Sequence, residues 1–205
     1  MMIQRNDLIP VIETLYKKYD GIIETEFNLF QIDVPHNLLD DTFSDWKGVY
    51  RPYYKDLYIH KGTINPGADA ILNHEGGAAK TKNGFYAGLW VIDIHAADNL
   101  NFAHEAFCMR PQMGTKNVTI YRLDRKGSIT SNIQSGNDYC INRHRASVQS
   151  VIPKIGPYGA ACSVSDDHLD HEQELSWAKA TSMYTGNKLH TWNMLQVSAI
   201  EVAGL

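Results

Sequence analysis

The sequence predicts a mainly β domain with a few helices, preceded by an amphipathic N-terminal helix. From residue 28 onward, short segments rich in β-branched and aromatic residues alternate with turn-forming groups such as Asn-Pro-Gly, Asn-Gly and Lys-Gly-Ser. The 205 residues are 43% hydrophobic and 20% charged, which is enough apolar material for one large core. We therefore expect a helical extension over residues 1–26 and a single β-rich domain over residues 27–205.

The N-terminal helix is predicted from the spacing of its apolar side chains. Residues 7–19 repeat them at intervals of three and four, which places them on one stripe of a helix. This stripe either packs on the body of the protein or docks onto a partner, and packing is the commoner use of such a stripe. The residues of the stripe are Leu8, Val11, Ile12, Leu15, Tyr16 and Tyr19.

The later elements are predicted in chain order from residue types and turn punctuation. A second helix is expected over residues 169–184, with Gly186 after it as a stop. Strand material is expected in YIHKGTINPGADA (58–70), GFYAGLWVIDIHAADN (84–99), NVTIYRLDRKGSI (117–129) and LHTWNMLQVSAIEV (189–202).

Charge, hydropathy and cysteine content narrow the classes of function. The formal net charge is −4 and there is no long run of Lys or Arg, so nothing points to nucleic acid. No apolar stretch approaches the roughly 18 residues of a membrane span, and the start lacks the apolar region of a secretion signal. The three cysteines form neither a C-x-x-C pair nor a disulfide framework. We expect no cofactor, no membrane partner and reduced thiols.

Cys162 is the candidate nucleophile. A cysteine attacks as a thiolate, so its thiol needs a base or a lowered pKa. The preceding residues 156–161, GPYGAA, are small or turn-forming, which lets the backbone approach a substrate and lets its amides form an oxyanion hole. The alternative is a small buried apolar residue, and we interpret Cys108 and Cys140 in that way.

His144 is the candidate base for Cys162. A strand ending near Arg143 and a loop over residues 146–160 would return the chain to Cys162 and bring the imidazole near the thiol. The alternative for His144 is a surface histidine between two arginines.

The arrangement INRHRA, loop, GAAC resembles the pattern G-I-N-I-H-R, loop, S-x-G-C. That pattern occurs in a group of phage-encoded proteins related to L,D-transpeptidase catalytic domains. KGTINPGADAIL is similar to the T-x-D-P-G segment of this group, and GFYAGLWVIDIHAADN to its G-x-Y-x-x-x-W-x-x-G-x-H segment. NVTIYRLDRKGSI resembles its V-x-V-Y-R-D strand, and LHTWNMLQVSAI its closing T-x-x-L strand. The order and spacing agree over residues 28–202.

The resemblance implies an L,D-transpeptidase-like β-sandwich or barrel and a peptidoglycan-directed cysteine acyl-transfer enzyme. Its substrates would be stem peptides of bacterial peptidoglycan, cleaved or exchanged after a diamino acid. Cys162 matches the nucleophile and His144 the general base. The amides of Ala160 and Ala161 would contact the oxyanion, and Asp93 or His95 would lie near the same pocket.

The resemblance also bears on location and partners. Without a secretion signal, such an enzyme would be virion-associated or would act in the host cytoplasm. Residues 1–26 would then be available to contact other virion proteins.

The sequence departs from the family pattern next to the cysteine. Gly159-Ala160-Ala161-Cys162 replaces Ser-x-Gly-Cys, and Val164 replaces an arginine two places after the cysteine. If the replaced glycine required a positive φ, Ala161 would be strained there. These losses raise a second hypothesis, a catalytically inactive virion structural module or cell-wall-binding module of the same fold.

A metal-dependent peptidase is the third hypothesis. His95, His144 and Asp93 would supply three ligands and leave one open position. In SDDHLDHE (165–172), His168 and His171 are weak metal candidates, and the simpler interpretation is an acidic first helical turn. His104-Glu105 is interpreted as a solvated polar step.

Overall fold

The structure of the chain, a computed structural model, describes residues 5–99, 101–147, 151–184, 186 and 189–205. Eight strands close into a barrel in the order β1-β11-β5-β6-β9-β10-β3-β2, and three more form a small sheet in the order β4-β7-β8. The predicted class, mainly β with a few helices, is confirmed. The barrel strands are β1 (Asn28–Asp33), β2 (Asp45–Arg51), β3 (Asp56–Thr63), β5 (Gly84–His95), β6 (His104–Cys108), β9 (Arg143–Arg145), β10 (Ser163–Ser165) and β11 (Trp192–Ser198), and those of the small sheet are β4 (Ala79–Thr81), β7 (Val118–Leu123) and β8 (Ile129–Gly136).

Four α-helices accompany the strands in the described part of the chain. They are α1 (Arg5–Lys18), α2 (Ala68–Asn73), α3 (His168–Ala180) and α4 (Ala199–Ala203). No helix among the described residues is both long and apolar enough to cross a membrane.

Helix α1 packs on the barrel. Its residues Ile12, Leu15 and Tyr16 are fully buried, in a cluster that includes Phe30 of β1 and Val197 of β11. The Tyr16 hydroxyl also donates to the carbonyl of Leu29 (3.0 Å). The apolar stripe predicted from the sequence is therefore used for packing on the body of the protein.

Two of the predicted strand segments end in helices. Residues 68–70 open helix α2, because Pro66-Gly67 interrupts the strand and Gly67 takes the N-cap position. Residues 199–202 lie in α4, which a capping box between Ser198 and Glu201 initiates.

The second predicted helix exists but ends earlier than expected. Helix α3 begins at His168, where the Asp167 side chain accepts from the Leu169 amide, and ends at Ala180. Thr181 follows as the C-cap in an extended conformation, so residues 182–184 lie outside the helix.

The alternation of side chains along the short strand β9 places two neighbours on opposite faces. Arg143 pairs with Phe107 of β6 and Ser163 of β10, and its guanidinium reaches across the barrel to the carbonyls of Phe30 and Gly48 on β1 and β2. Arg143 therefore points into the barrel, and His144 points out of it.

Candidate active site

The pairing of β9 with β10 brings His144 and Cys162 to the lining of the same cavity. The two strands are parallel, with His144 opposite Val164, so Cys162 lies beside Asn142 at the start of the pair. The Ser163 amide donates to the Asn142 carbonyl (2.8 Å), and the Asn142 amide donates to the Cys162 sulfur (3.5 Å).

His144 and Cys162 both line a cavity of about 440 Å³ on the outer face of the barrel. Its walls combine apolar side chains with histidines, which is the usual composition of a small-molecule site. The cavity is lined by His95, Ala96, Asn101, Phe102, His104, His144, Arg145, Ala146, Ser147, Pro157, Ala160 and Cys162.

The hydrogen bonds of His144 define its tautomer. Nδ1 lies 2.7 Å from the Arg145 carbonyl, which only accepts, so Nδ1 carries the proton. Nε2 is buried and has no partner among the described residues. Burial, reinforced by the neighbouring His95, holds the pKa of His144 well below its usual range. His144 is therefore a neutral imidazole with a free lone pair at Nε2.

The Cys162 thiol is protonated at rest. Its sulfur donates to the Cys140 carbonyl (3.5 Å) and accepts from the Asn142 amide; within the described residues no hydrogen bond joins it to His144. Burial raises the pKa of Cys162 to about 11, although the Asn142 amide acts in the opposite direction. An attack by this sulfur therefore needs a base at the moment of reaction.

Three hydrogen-bonded contacts connect the turn before Cys162 to the loop around Asp41 and the start of helix α2. Asp41 accepts from the Ala68 amide (3.0 Å) and from the Gly156 amide, and the Gly67 amide donates to the Gly159 carbonyl (2.7 Å). A Cβ on Gly159 would lie 2.6 Å from Ile155 Cγ2, so the close packing of this turn requires glycine there.

Ala160 and Ala161 occupy different environments. Ala160 lines the cavity, whereas the Ala161 side chain is buried in the main core cluster and its amide lies near the Cys162 sulfur. Ala161 is not among the residues with positive φ, so an alanine at this position, where the pattern that the sequence resembles has glycine, causes no backbone strain. Their roles as oxyanion donors stay predictions.

His95 and His104 join His144 at the cavity. The rings of His95 and His144 stack with centroids 4.0 Å apart, and the ring of His104 lies 5.3 Å from that of His95. His104 Nδ1 donates to the Phe102 carbonyl (2.6 Å), and its Nε2 is buried without a partner among the described residues. The interpretation of His104-Glu105 as a solvated polar step is right for Glu105, which is exposed, and wrong for His104, whose Nε2 is buried. His104 on β6 lies opposite His95 on β5, so both rings lie on the face of the barrel wall that carries the ring of His144.

Asp93 lies on the same strand as His95 but contacts a different partner. Its carboxylate accepts from Arg110 Nε (2.7 Å), and Asp93 is not among the residues that line the cavity. The predicted role of Asp93 in the substrate site stays a prediction.

The weak metal candidates lie on helix α3. His168 is its first residue, with Nδ1 3.4 Å from Asp167 Oδ1, and His171 Nε2 lies 3.0 Å from the Glu105 carbonyl. Among the described residues, no group of three or more His, Cys, Asp or Glu side chains is arranged to hold a metal ion. Helix α3 thus fits the simpler interpretation, an acidic N-terminal turn capped by Asp167.

The two other cysteines differ in burial. Cys108 is fully buried on β6, as predicted, but Cys140 is exposed, so the prediction of a core residue was wrong there. Cys140 adopts a φ of 53° in the turn before β9, and it contributes its carbonyl to the site through the hydrogen bond from Cys162.

A comparison with protein-family models, curated proteins and solved structures finds no match to this chain.

Proposed function

We propose that this protein is a phage-type, peptidoglycan-directed cysteine acyl-transfer enzyme with an L,D-transpeptidase-like fold. The observation that carries the proposal is the unpartnered Nε2 of His144, buried in the same cavity that Cys162 lines. A buried lone pair without a partner costs free energy in the resting protein, and acceptance of the thiol proton from a cysteine nucleophile is a role that would account for it.

The proposed acyl transfer needs no protein side chain other than those of His144 and Cys162 to move its proton and form its covalent bond. His144 Nε2 takes the Cys162 thiol proton as the sulfur attacks the peptide carbonyl carbon. A carbon–sulfur bond forms, the carbon–nitrogen bond breaks, and the proton passes from His144 to the leaving amine. An amine of a second stem, or water, then attacks the thioester, and the thiol is regenerated.

The stem-peptide substrate is supported by the sequence resemblance and by one side chain of the cavity. Arg145 lines the cavity and pairs with Glu172 through one terminal nitrogen (2.5 Å), while its Nε is buried without a partner in the described chain. An arginine with a free donor suits a carboxylate, and peptidoglycan stems carry free carboxylates.

Mass spectrometry of muropeptides tests the proposal. Wild type should convert stem peptides to shortened or exchanged products, Cys162→Ala and His144→Ala should not, and Cys140→Ala should keep at least part of the activity. A wild-type digest identical to the buffer control would overturn the enzyme proposal.

The position of the thiol proton favours a second candidate, an inactive structural or wall-binding module of the same fold. The Cys162 thiol donates to the Cys140 carbonyl and not to His144, so the resting site lacks the hydrogen bond of a working pair. Iodoacetamide labelling below pH 8 separates the two. Modification of Cys162 at least as fast as that of the exposed Cys140 supports the enzyme, and an inert Cys162 beside a labelled Cys140 supports the module.

A further inference from the structure

The side chain of Asn142 has only one orientation that satisfies its neighbours. Asn142 is buried, and its Oδ1 lies 2.9 Å from the Met109 amide, which can only donate. The oxygen must therefore face Met109, and the amide nitrogen Nδ2 must face His95 Nδ1, which lies 2.9 Å away.

This orientation fixes the tautomer of His95. Because Asn142 Nδ2 donates, His95 Nδ1 must present a lone pair, and the single proton of the neutral ring lies on Nε2. Burial, with contributions from His104 and Arg110, lowers the pKa of His95 to about 4, so the ring is neutral at pH 7. Nε2–H has no hydrogen-bond partner among the described residues, and His95 lines the cavity.

The two stacked histidines thus present opposite hydrogen-bonding groups. His144 offers a lone pair at Nε2, and His95, 4.0 Å away between ring centroids, offers an N–H. Acyl transfer needs both groups, a base for the nucleophile and a donor for the carbonyl oxygen that becomes negatively charged. A neutral imidazole is a suitable donor of this kind, because it gives a hydrogen bond without surrendering its proton.

We propose that Asn142 is a positioning residue that holds His95 as its Nε2–H tautomer, and that His95 donates a hydrogen bond to the carbonyl oxygen of the acyl donor. The role rests on the proposed acyl-transfer function. Asn142 also donates its backbone amide to the Cys162 sulfur, so one residue orients both the nucleophile and the donor that faces the substrate.

The tautomer is tested by nitrogen-15 NMR of the imidazole groups, with His95 assigned by His95→Gln. In wild type, His95 should show a protonated Nε2 and an unprotonated Nδ1. The variant Asn142→Asp keeps an acceptor for the Met109 amide but turns a second acceptor toward His95, so His95 should move its proton to Nδ1 or carry two. An unprotonated Nε2 in wild type would overturn the proposal, whatever the activity.

Kinetics test the role of His95. Asn142→Asp and His95→Phe should lower kcat on muropeptides by about 10²-fold or more with little change in KM, as for loss of one oxyanion donor. His95→Gln, which keeps an N–H, should recover part of the loss. The charge control Asn132→Asp, on the exposed strand β8, should behave as wild type.

The outcomes separate this proposal from the proposed function. Full turnover by Asn142→Asp and His95→Phe, with Cys162→Ala inactive, would refute the His95 role and leave the acyl-transfer function standing. No turnover by wild type would refute both the acyl-transfer function and the role of His95 in it, while the NMR measurement would still decide the tautomer of His95.

Discussion

Arg143 and His144 are neighbours on one short strand, both are buried, and they lie on opposite faces of the barrel wall. Inside the barrel, Arg143 uses its nitrogens on the carboxylate of Glu174, on the carbonyls of Phe30 and Gly48, and on Gln31 Oε1. Outside, His144 makes one hydrogen bond to its own strand and leaves Nε2 without a partner.

The difference separates a structural polar group from a candidate functional one. The charged groups of the interior network are paired, since Glu174 also accepts from His60 (2.7 Å) and Lys47 donates to Ser165 Oγ (2.8 Å); of the neighbouring hydroxyls in the described chain, that of Ser163 has no partner. The exterior cluster is open, because His144 and His104 both retain a buried, unpaired nitrogen at the cavity. Satisfied buried networks stabilise a fold, and unsatisfied buried groups need another explanation; for those that line the cavity, the proposed acyl transfer would supply it.

Breaking the interior network should produce the largest change in stability. Arg143→Met leaves the Glu174 carboxylate buried without its main partner, which should lower the free energy of unfolding by about 3–5 kcal/mol. Urea denaturation measures the effect. The double variant Arg143→Met/Glu174→Leu should recover most of the loss, and a single variant as stable as wild type would contradict the structural role of Arg143.

Replacing the exterior neighbour should change activity much more than stability. His144→Gln loses one hydrogen bond, worth about 1 kcal/mol, whereas removal of a general base should lower turnover by about 10²–10⁴-fold. The matched control is His168→Gln, on α3 and outside the cavity lining, which should turn over muropeptides as wild type does. Equal activity of His144→Gln and His168→Gln would contradict a functional role for the unpartnered nitrogen of His144.

Acid should destabilise the fold in two pH windows, the first set by buried histidines and the second by the buried Glu174 carboxylate. The folded pKa values of His95 and His171 are lowered by burial to about 4 and about 3, so the unfolded chain binds more protons below pH 6.5. The contribution of these two histidines to the free energy of unfolding is fully present above pH 6.5 and is lost as the pH falls toward their folded pKa values. The pKa of Glu174 is also held low, by Arg143 and His60, so its contribution is present above pH 4.5 and is lost only at more acidic pH.

Urea midpoints measured from pH 7 to pH 3 check this order. Stability should fall first between pH 6.5 and 4, and His171→Gln should flatten that first decline. An unchanged midpoint between pH 7 and pH 5 in wild type would contradict the neutral burial of the histidines.

Placing a glycine at position 161, as in the Ser-x-Gly-Cys pattern that the sequence resembles, should have the smallest effect. Because Ala161 has no positive φ and packs in the core, Ala161→Gly relieves no strain and should cost roughly 0.5–1 kcal/mol. Muropeptide turnover should not rise. A clear gain in activity or stability would show that the backbone at this position does favour glycine.

Local sequence patterns predicted the elements better than their arrangement. The apolar stripe of residues 7–19, the strand over GFYAGLWVIDIHAADN and the capped helix near residue 168 follow from spacing and end signals that neighbouring residues supply. Local patterns could not decide between the sandwich and the barrel that the resemblance implies, because barrel closure depends on pairings such as β1 with β11, whose residues lie far apart in the chain.

The candidate site could be predicted only in part, because it too depends on how distant segments pair. The spacing of His144 and Cys162 fits two paired strands and predicts that they lie close together, but the sequence carries no such signal for His104 at the cavity or for the exposure of Cys140. The register of β5 against β6 decides that His104 faces the cavity, and a left-handed turn decides that Cys140 does not enter the core. Neither is visible in the composition of the segments.

Intact-protein mass spectrometry, after acid quench of a mixture with a stem tetrapeptide, tests whether Cys162 is the nucleophile. If it is, the protein should carry a covalent adduct with the mass of the acyl group, mapped by peptide digestion to Cys162 and absent in Cys162→Ser. Accumulation should weaken in His144→Gln, because the base that activates the thiol is lost. Product formation without any thioester, or an adduct that maps to Cys140, would contradict Cys162 as the nucleophile.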